Sequence, residues 1–342
     1  MTQPASNDTA LEGIASLALL ADIGGTNVRF ALVDATAPAP LCDERIRQYE
    51  VADFPNLQDA ARQYLSEMHA PRPDSAVFAV AGRIDGDIAR ITNHPWTISR
   101  EDTRVALGLS RVRLVNDFAA QAMAVELLDA GDLVLLGGGQ WAHPPARHSN
   151  FAVIGPGTGL GVSGLIVRDG RGIALETEGG HVAFAPEGEE EFAVLARLAA
   201  RFGRVSNERL ISGGGLVNIH RALCELEDAP VEEAFRPRDV TAGADAGDGR
   251  CVRALDIFCA VFGAATGDLV LTLGAWDGAF LTGGLVPRLL PRLQTSAFRA
   301  RFEAKGRFRE AMSRVPTMAV VHPHAGLLGT AAFAAQDAGL PL

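Results

Sequence analysis

Two periodicities alternate along this chain, one of two residues and one near 3.6. The first appears at once. Leu19-Leu20-Ala21-Asp22-Ile23 is an apolar run, Gly24-Gly25-Thr26-Asn27 breaks it, and Val28, Phe30 and Leu32 then alternate with Arg29, Ala31 and Val33. This pattern predicts a β-hairpin with paired glycines at its bend. A third strand is expected near Ile46–Val51, and a helix over about Leu57–Met68 between Pro55 and Pro71. Ala76–Ala81 reads as a short buried strand ending at Gly82, and Ile91–Trp96 as a polar loop in which Pro95 forbids helix at His94. Arg113-Leu114-Val115 is the next strand, followed by a buried helix over Phe118–Leu128.

The hairpin pattern then returns. Phe151-Ala152-Val153-Ile154, the turn Gly155-Pro156-Gly157-Thr158-Gly159-Leu160-Gly161 and the strand Val162–Val167 repeat the opening unit. Glu176–His181 is an irregular polar segment. Helices are expected from Glu189, with Leu195, Leu198, Ala199 and Phe202 on one face, and briefly from Ser206. Gly213-Gly214-Gly215 is expected to break the chain before a helix over about Leu216–Leu226, and an acidic connector to reach about Gly249. Cys251 to about Leu273 reads as one long core helix. Ala279–Leu285 is a strand entering a Gly-Gly turn, with Pro287 tolerated in the first turn of the helix that follows. A helix over Phe298–Met312, a strand over Met318–His322 and a helix over Gly326–Gln336 complete the series.

Length and composition narrow the class. At 342 residues, two domains are the better expectation. A hydrophobic share of 48% with 21% charged residues describes a globular chain, and a net charge of −10 argues against nucleic acid or an anionic membrane as the main partner. No apolar run is expected to span a bilayer. The first sixteen residues lack Lys and Arg and read as a disordered lead-in rather than a signal peptide. Cys42, Cys224, Cys251 and Cys259 form no C-x-x-C pair and read as reduced, mostly buried thiols of a cytoplasmic protein.

Lysine occurs once, at Lys305, in a setting that fits neither a Walker loop nor a protein-kinase strand lysine. Any nucleotide here must be held by backbone amides, hydroxyls and metal. The Gly-Gly-Thr-Asn corner suits that role, because its N–H groups and the Thr26 hydroxyl form a concavity for phosphate oxygens. Asp22 beside it would repel a phosphate unless a cation such as Mg²⁺ lay between. An ordinary tight hairpin whose Asp caps a turn fits the same residues. Asn116-Asp117 likewise reads either as a helix cap or as a carboxylate at the ligand-binding end of a buried strand. Gly159-x-Gly161-x-x-Gly164 matches a dinucleotide fingerprint but opens a strand where a helix is required, which argues against it. His322-x-His324 has no further ligand near it in sequence and is read as structural.

Taken in order, Asp22-x-Gly24-Gly25-Thr26-Asn27, Asn116-Asp117, Gly157-Thr158-Gly159-x-Gly161 and Thr282-Gly283-Gly284 resemble the sugar kinase, actin and heat-shock ATPase superfamily. Within it, Thr92-Asn93-His94-x-Trp96, Val115-Asn116-Asp117-Phe118, Glu178-Gly179-Gly180-His181 and Ser206-x-Glu208-Arg209 resemble the bacterial glucokinase family, over about Leu19 to Gly329. The resemblance implies an α/β fold of two RNase-H-like (actin-like ATPase) domains with an active-site cleft between them. The expected division is a lead-in over 1–17, a small domain over 18–117 with the terminal helix 323–342, and a large domain over 118–322.

The resemblance also implies roles. Asp117 would be the base for the 6-hydroxyl of glucose, and Asn93, Asn116, Glu178, His181 and Glu208 would bind the ring hydroxyls. Gly24, Gly25, Thr26, Asn27, Gly157, Thr158 and Gly159 would hold ATP phosphates, with Asp22 near Mg²⁺ and Gly283 and Gly284 by the adenosine. It implies a homodimer working on glucose and ATP, with neither nucleic acid nor membrane as partner. A kinase of mannose or glucosamine, or a sugar-sensing protein without catalysis, are the competing readings. Two departures from the family stand out. Arg83 replaces a common proline, and the zinc-binding cysteine cluster of the repressor-related sugar kinases is missing, so no structural zinc is expected.

Overall fold

A computed structural model describes residues 16–37, 41–92, 94–142, 145–232 and 234–340. It divides into two compact units, one of Met1–Leu128, Arg168–Ala174 and Pro323–Leu342, the other of Asp129–Val167 and Leu175–His322.

In the first unit, β1 (Leu17–Ile23) and β2 (Asn27–Asp34) form the opening hairpin, with Asp22 opposite Arg29 and Ile23 opposite Val28. β3 (Arg47–Glu50) adds to β2, α1 (Leu57–Glu67) crosses over, and β4 (Ser75–Val80) runs parallel to β1. A small sheet follows, β5 (Gly82–Asp85), β6 (Ile88–Ile91) and β7 (Thr97–Ser99), then α2 (Arg100–Leu107), β8 (Arg111–Asn116) parallel to β4, and α3 (Asp117–Ala124). The main sheet has the order β3-β2-β1-β4-β8. Leu19, Ile23, Phe30, Phe78 and Trp96 are buried on it, and the Phe30 and Tyr64 rings stack at 5.4 Å. The small sheet escapes the sequence reading because its strands are three or four residues long, too short to display a period; the eight-residue helix α2 is missed as well.

The second unit opens with β9 (Leu133–Gly137), β10 (His148–Pro156), β11 (Leu160–Arg168) and β12 (Arg171–Glu176). Helices α4 (Gly188–Phe202), α5 (Gly213–Leu226), α6 (Pro237–Asp245) and α7 (Gly249–Leu273) follow. Next come β13 (Gly278–Leu281), α8 (Val286–Thr295), α9 (Phe298–Glu303), α10 (Arg309–Arg314) and β14 (Thr317–Val320). The sheet order is β12-β11-β10-β13-β14-β9. Numbered from each hairpin, both sheets contain the order 3-2-1-4-5, and the second adds β9, antiparallel to β14, at its edge.

Several expectations change here. Gly213-Gly214-Gly215 does not break the chain but forms the first turn of α5, capped by Ser212, whose Oγ accepts from Gly215 N at 2.9 Å. A good cap outweighs the poor helix propensity of glycine when the first turn is buried. The connector before Gly249 holds α6, started by Pro237. The helix over Phe298–Met312 is split, because Gly306 adopts φ +54 between α9 and α10. α7 is long and apolar enough to pass for a membrane span, with a window of mean hydropathy 1.7, yet 78% of that window is buried within the protein. Phe258 and Phe262 of this helix lie in the core of the second unit.

The chain finishes in the first unit with α11 (Ala325–Asp337), buried around nearly its whole circumference. A Cβ on Gly329 would stand 1.7 Å from the Ala120 carbonyl oxygen, so only glycine lets α11 and α3 lie this close. That packing carries the first unit through Leu128, beyond residue 117.

Candidate active site

In the first unit the opening turn is closed by Gly24 N donating to Asn27 O at 2.9 Å, and Thr26 O accepts from Val51 N at 2.9 Å. Asp22 stands at the end of β1, where Arg29 Nη1 approaches its Oδ2 at 3.6 Å, longer than a hydrogen bond. Burial pushes the Asp22 carboxyl above its ordinary value, and the Arg29 charge only partly opposes this. On its other side stands the start of α11, where a Cβ on Gly326 would meet Asp22 Oδ2 at 2.7 Å. A half-desolvated carboxylate with a single distant cation beside exposed turn amides is suited to receive a divalent ion.

The structure shows how Asn116 and Asp117 share the start of α3. Asn116 is the N-cap of α3, its Oδ1 accepting from Phe118 N at 2.9 Å and Ala119 N at 3.2 Å. Asp117 is the first helical residue, half-buried, and its Oδ1 also accepts from Phe118 N at 3.0 Å. The cap therefore survives without Asp117. Asn93 lies outside the described residues. Arg83, exposed on β5, pairs with Asp85 at 2.9 Å.

In the second unit, the turn between β10 and β11 is closed by Gly157 N donating to Gly159 O at 2.8 Å, leaving Thr158 exposed at its tip. Glu208 reaches it from a short 3-10 turn, Asn207–Arg209, and its Oε2 accepts from Leu160 N at 2.9 Å. Glu208 Oε1 lies 4.0 Å from His181 Nδ1. The segment Glu178–His181 forms another 3-10 turn, closed by His181 N donating to Glu178 O at 3.0 Å. It presses on the same hairpin, where a Cβ on Gly180 would come within 2.0 Å of Leu160 O. A backbone bond from Asn207 N to Val182 O at 2.9 Å joins the two turns. Glu178 and His181 are exposed and Glu208 half-buried, as groups that receive a polar ligand must be.

The parallel neighbours β10 and β13 end side by side, and Leu285 N donates to Pro156 O at 3.2 Å. Gly283, at φ +85, places Gly283-Gly284 next to the Gly157–Gly159 turn, where a side chain would strike Pro156 O. The start of α5 joins them, with Gly213 N donating to Gly157 O at 2.9 Å. Sequence reading missed this third glycine segment, although Ser212 ahead of three glycines was a legible cap signal. Glycine loops at the carboxyl ends of parallel strands, beside a helix N-terminus, are where α/β proteins bind phosphorylated ligands. Lys305 takes no part. It is buried in an ion pair with Asp268, at 2.7 Å.

Two units with the same 3-2-1-4-5 sheet, each led by a glycine hairpin, define the actin-like ATPase class of fold. A glucokinase from an Antarctic psychrotroph superposes with a TM-score of 0.83 at 33% identity, over 94% of this chain and 99% of that one. A ROK family glucokinase from Streptomyces griseus, in complex with glucose and AMPPNP, shares the fold at a TM-score of 0.62 and 20% identity, over 94% of this chain and 100% of that one. The profile of the Glucokinase family matches residues 19–337. The glucokinase of Stenotrophomonas maltophilia (strain K279a) is 60% identical over 319 residues, spanning 93% of this chain and 95% of that protein. The chain belongs to the glucokinase family.

Proposed function

We infer that this chain is an ATP-dependent glucokinase, transferring the terminal phosphoryl group of ATP to the 6-hydroxyl of glucose. What carries the reading is 60% identity to a glucokinase over 93% of the chain. The chemistry of the two turns agrees with it. Neutral sugar hydroxyls need carboxylates and an imidazole placed to accept and donate, and Glu178, His181 and Glu208 supply both kinds of partner. A site so built rejects an analogue that lacks the hydroxyl, because its polar groups would be left unpaired.

In this reading Asp117 takes the proton of the 6-hydroxyl, and Asn116, with one oxygen engaged in capping α3, turns its amide to the sugar alongside Asn93. Gly24, Gly25, Thr26 and Asn27, with Gly157, Thr158 and Gly159, hold the phosphates through backbone N–H groups and hydroxyls. Gly283 and Gly284 leave room for the adenosine. Asp22, with its unsaturated carboxylate, fits a Mg²⁺ ion, which when bound neutralises charge developing on the phosphates. The small domain is assigned to residues 18–128 with the terminal helix, extending the expected boundary at 117 through α3, and the large one to 129–322. The protein is assigned to the cytoplasm, consistent with four free thiols, and by family resemblance to a homodimer.

The test is an assay of the purified chain for ADP formation with and without sugar, across glucose, mannose and glucosamine. ADP should form only with sugar, matched by glucose 6-phosphate and fastest with glucose. Equal ATP turnover without sugar would refute the reading.

A further inference from the structure

Away from these turns, in the helical layer of the second unit, three kinds of metal-binding side chain converge. A ring nitrogen of His220, a carboxylate oxygen of Asp248 and the sulfur of Cys251 all lie within 4.8 Å of one another. Among the described residues this is the one grouping of three or more such groups. Cys224 stands beside the group, its Sγ 3.9 Å from His220 Nδ1, but outside the mutual 4.8 Å of the other three.

The spacing follows from the helices. His220 and Cys224 are i,i+4 on α5, so they share one face, and Asp248 and Cys251 are the N-cap and third residue of α7, so they meet across its first turn. The setting is preorganised. The His220 ring stacks on Phe235 at 4.4 Å and 18°, which fixes its plane. Asp248 Oδ1 accepts from Cys251 N at 2.8 Å. A Cβ on Gly243 would stand 2.6 Å from Cys251 Sγ, so α6 closes over the thiol. Arg250 is paired with Glu227 at 2.8 Å and also bonds the Cys224 thiol. Asp248 is exposed while Cys251 is buried, which gives an ion a path from solvent into a closed interior.

We propose that His220, Asp248 and Cys251, with Cys224 beside them, form a zinc-binding site that clamps α5 to the start of α7. Thiolate, imidazole and carboxylate are all donors that Zn²⁺ takes. The site is separate in sequence and chemistry from the turns assigned to glucose and ATP, so its test is independent of the kinase reading.

The experiment uses the full chain, stripped with chelator, desalted and titrated with Zn²⁺ and separately with Co²⁺. Wild type should retain one equivalent of zinc through gel filtration, gain thermal stability, and show a thiolate-to-Co²⁺ charge-transfer absorption. Cys42→Ser, which alters the half-buried cysteine outside the group, should keep all three. Cys251→Ser should lose the absorption. Asp248→Asn keeps the α7 cap, since Asn caps as well as Asp, and so remains folded; its zinc affinity should fall at least about tenfold, the lower end of what even outer-sphere changes cause. Failure of wild type to retain zinc, or a Co²⁺ absorption that persists unchanged in Cys251→Ser, would overturn the proposal.

Discussion

The two glycine hairpins begin alike and are finished differently. In the first, the carboxylate beside the turn is local: Asp22 leads into it, three residues before Gly25, and its cation Arg29 comes from the facing strand. In the second, no acid flanks the turn. Glu208 arrives from about fifty residues away to accept Leu160 N, and it brings His181 with it. A local acid beside bare amides suits a cation and phosphates, whereas acids carried in on separate 3-10 turns suit a neutral ligand with several hydroxyls. The two hairpins are thus equivalent supports with different neighbours.

The largest expected effect falls on the other acid of the first unit that is assigned to the site. Asp117→Asn preserves shape and leaves the cap on Asn116, so melting temperature should hold. Turnover should fall at least ~10²-fold, the low end of general-base contributions. A folded variant keeping more than about a tenth of wild-type turnover would remove the base role.

Gly326→Ala tests whether the local acid depends on its surroundings. The new methyl would overlap Asp22 Oδ2, and overpacking of this kind costs about 1–3 kcal/mol. Chemical denaturation should report that loss, and the KM for magnesium–ATP should rise while that for glucose changes little. The reverse pattern would exchange the roles of the two hairpins.

A third test uses pH. Glu126, just beyond α3, has its carboxyl pushed from 4.5 to about 7, by burial first, with a backbone bond from Gly172 opposing. The folded chain therefore holds a proton that the unfolded chain releases, so stability falls as pH rises from 4.5 to about 7 and levels off above. Glu126→Gln should remove that fall and be more stable than wild type at pH 8 by about 1–2 kcal/mol, with partial exposure discounted. Parallel denaturation curves for the two proteins from pH 5 to pH 8 would contradict this.

Smaller effects separate ligand from support in the second hairpin. Glu208→Gln keeps an oxygen for Leu160 N but loses the charge; hydrogen bonds to charged groups exceed neutral ones by about 1 kcal/mol. The KM for glucose should rise roughly fivefold, with stability nearly unchanged. Gly157→Ala faces open space, with nothing within 4 Å of the added carbon. It should alter stability by less than about 0.5 kcal/mol, while a raised KM for ATP would mark this backbone as a phosphate support. No change in either would exclude it.

Elements with a full period were legible in the amino-acid sequence: both hairpins, the strand before Asn116-Asp117, the long helix α7 and the glycine turn after β13. So was the order of the motifs, which is a property of the chain itself. The brief strands β5 to β7, the 3-10 turn at Gly179–His181 and the helical start at Gly213 were not, because four residues or fewer carry too little pattern to outweigh glycine and proline signals. Tertiary structure alone decided which of Asn116 and Asp117 serves as the cap, since both side chains can accept the same amides and only the backbone trajectory selects one. It alone brought Glu208 and His181 to the second hairpin and gathered His220, Cys224, Asp248 and Cys251 from two helices. Local periodicity records which face of an element is buried, but not which distant element buries it.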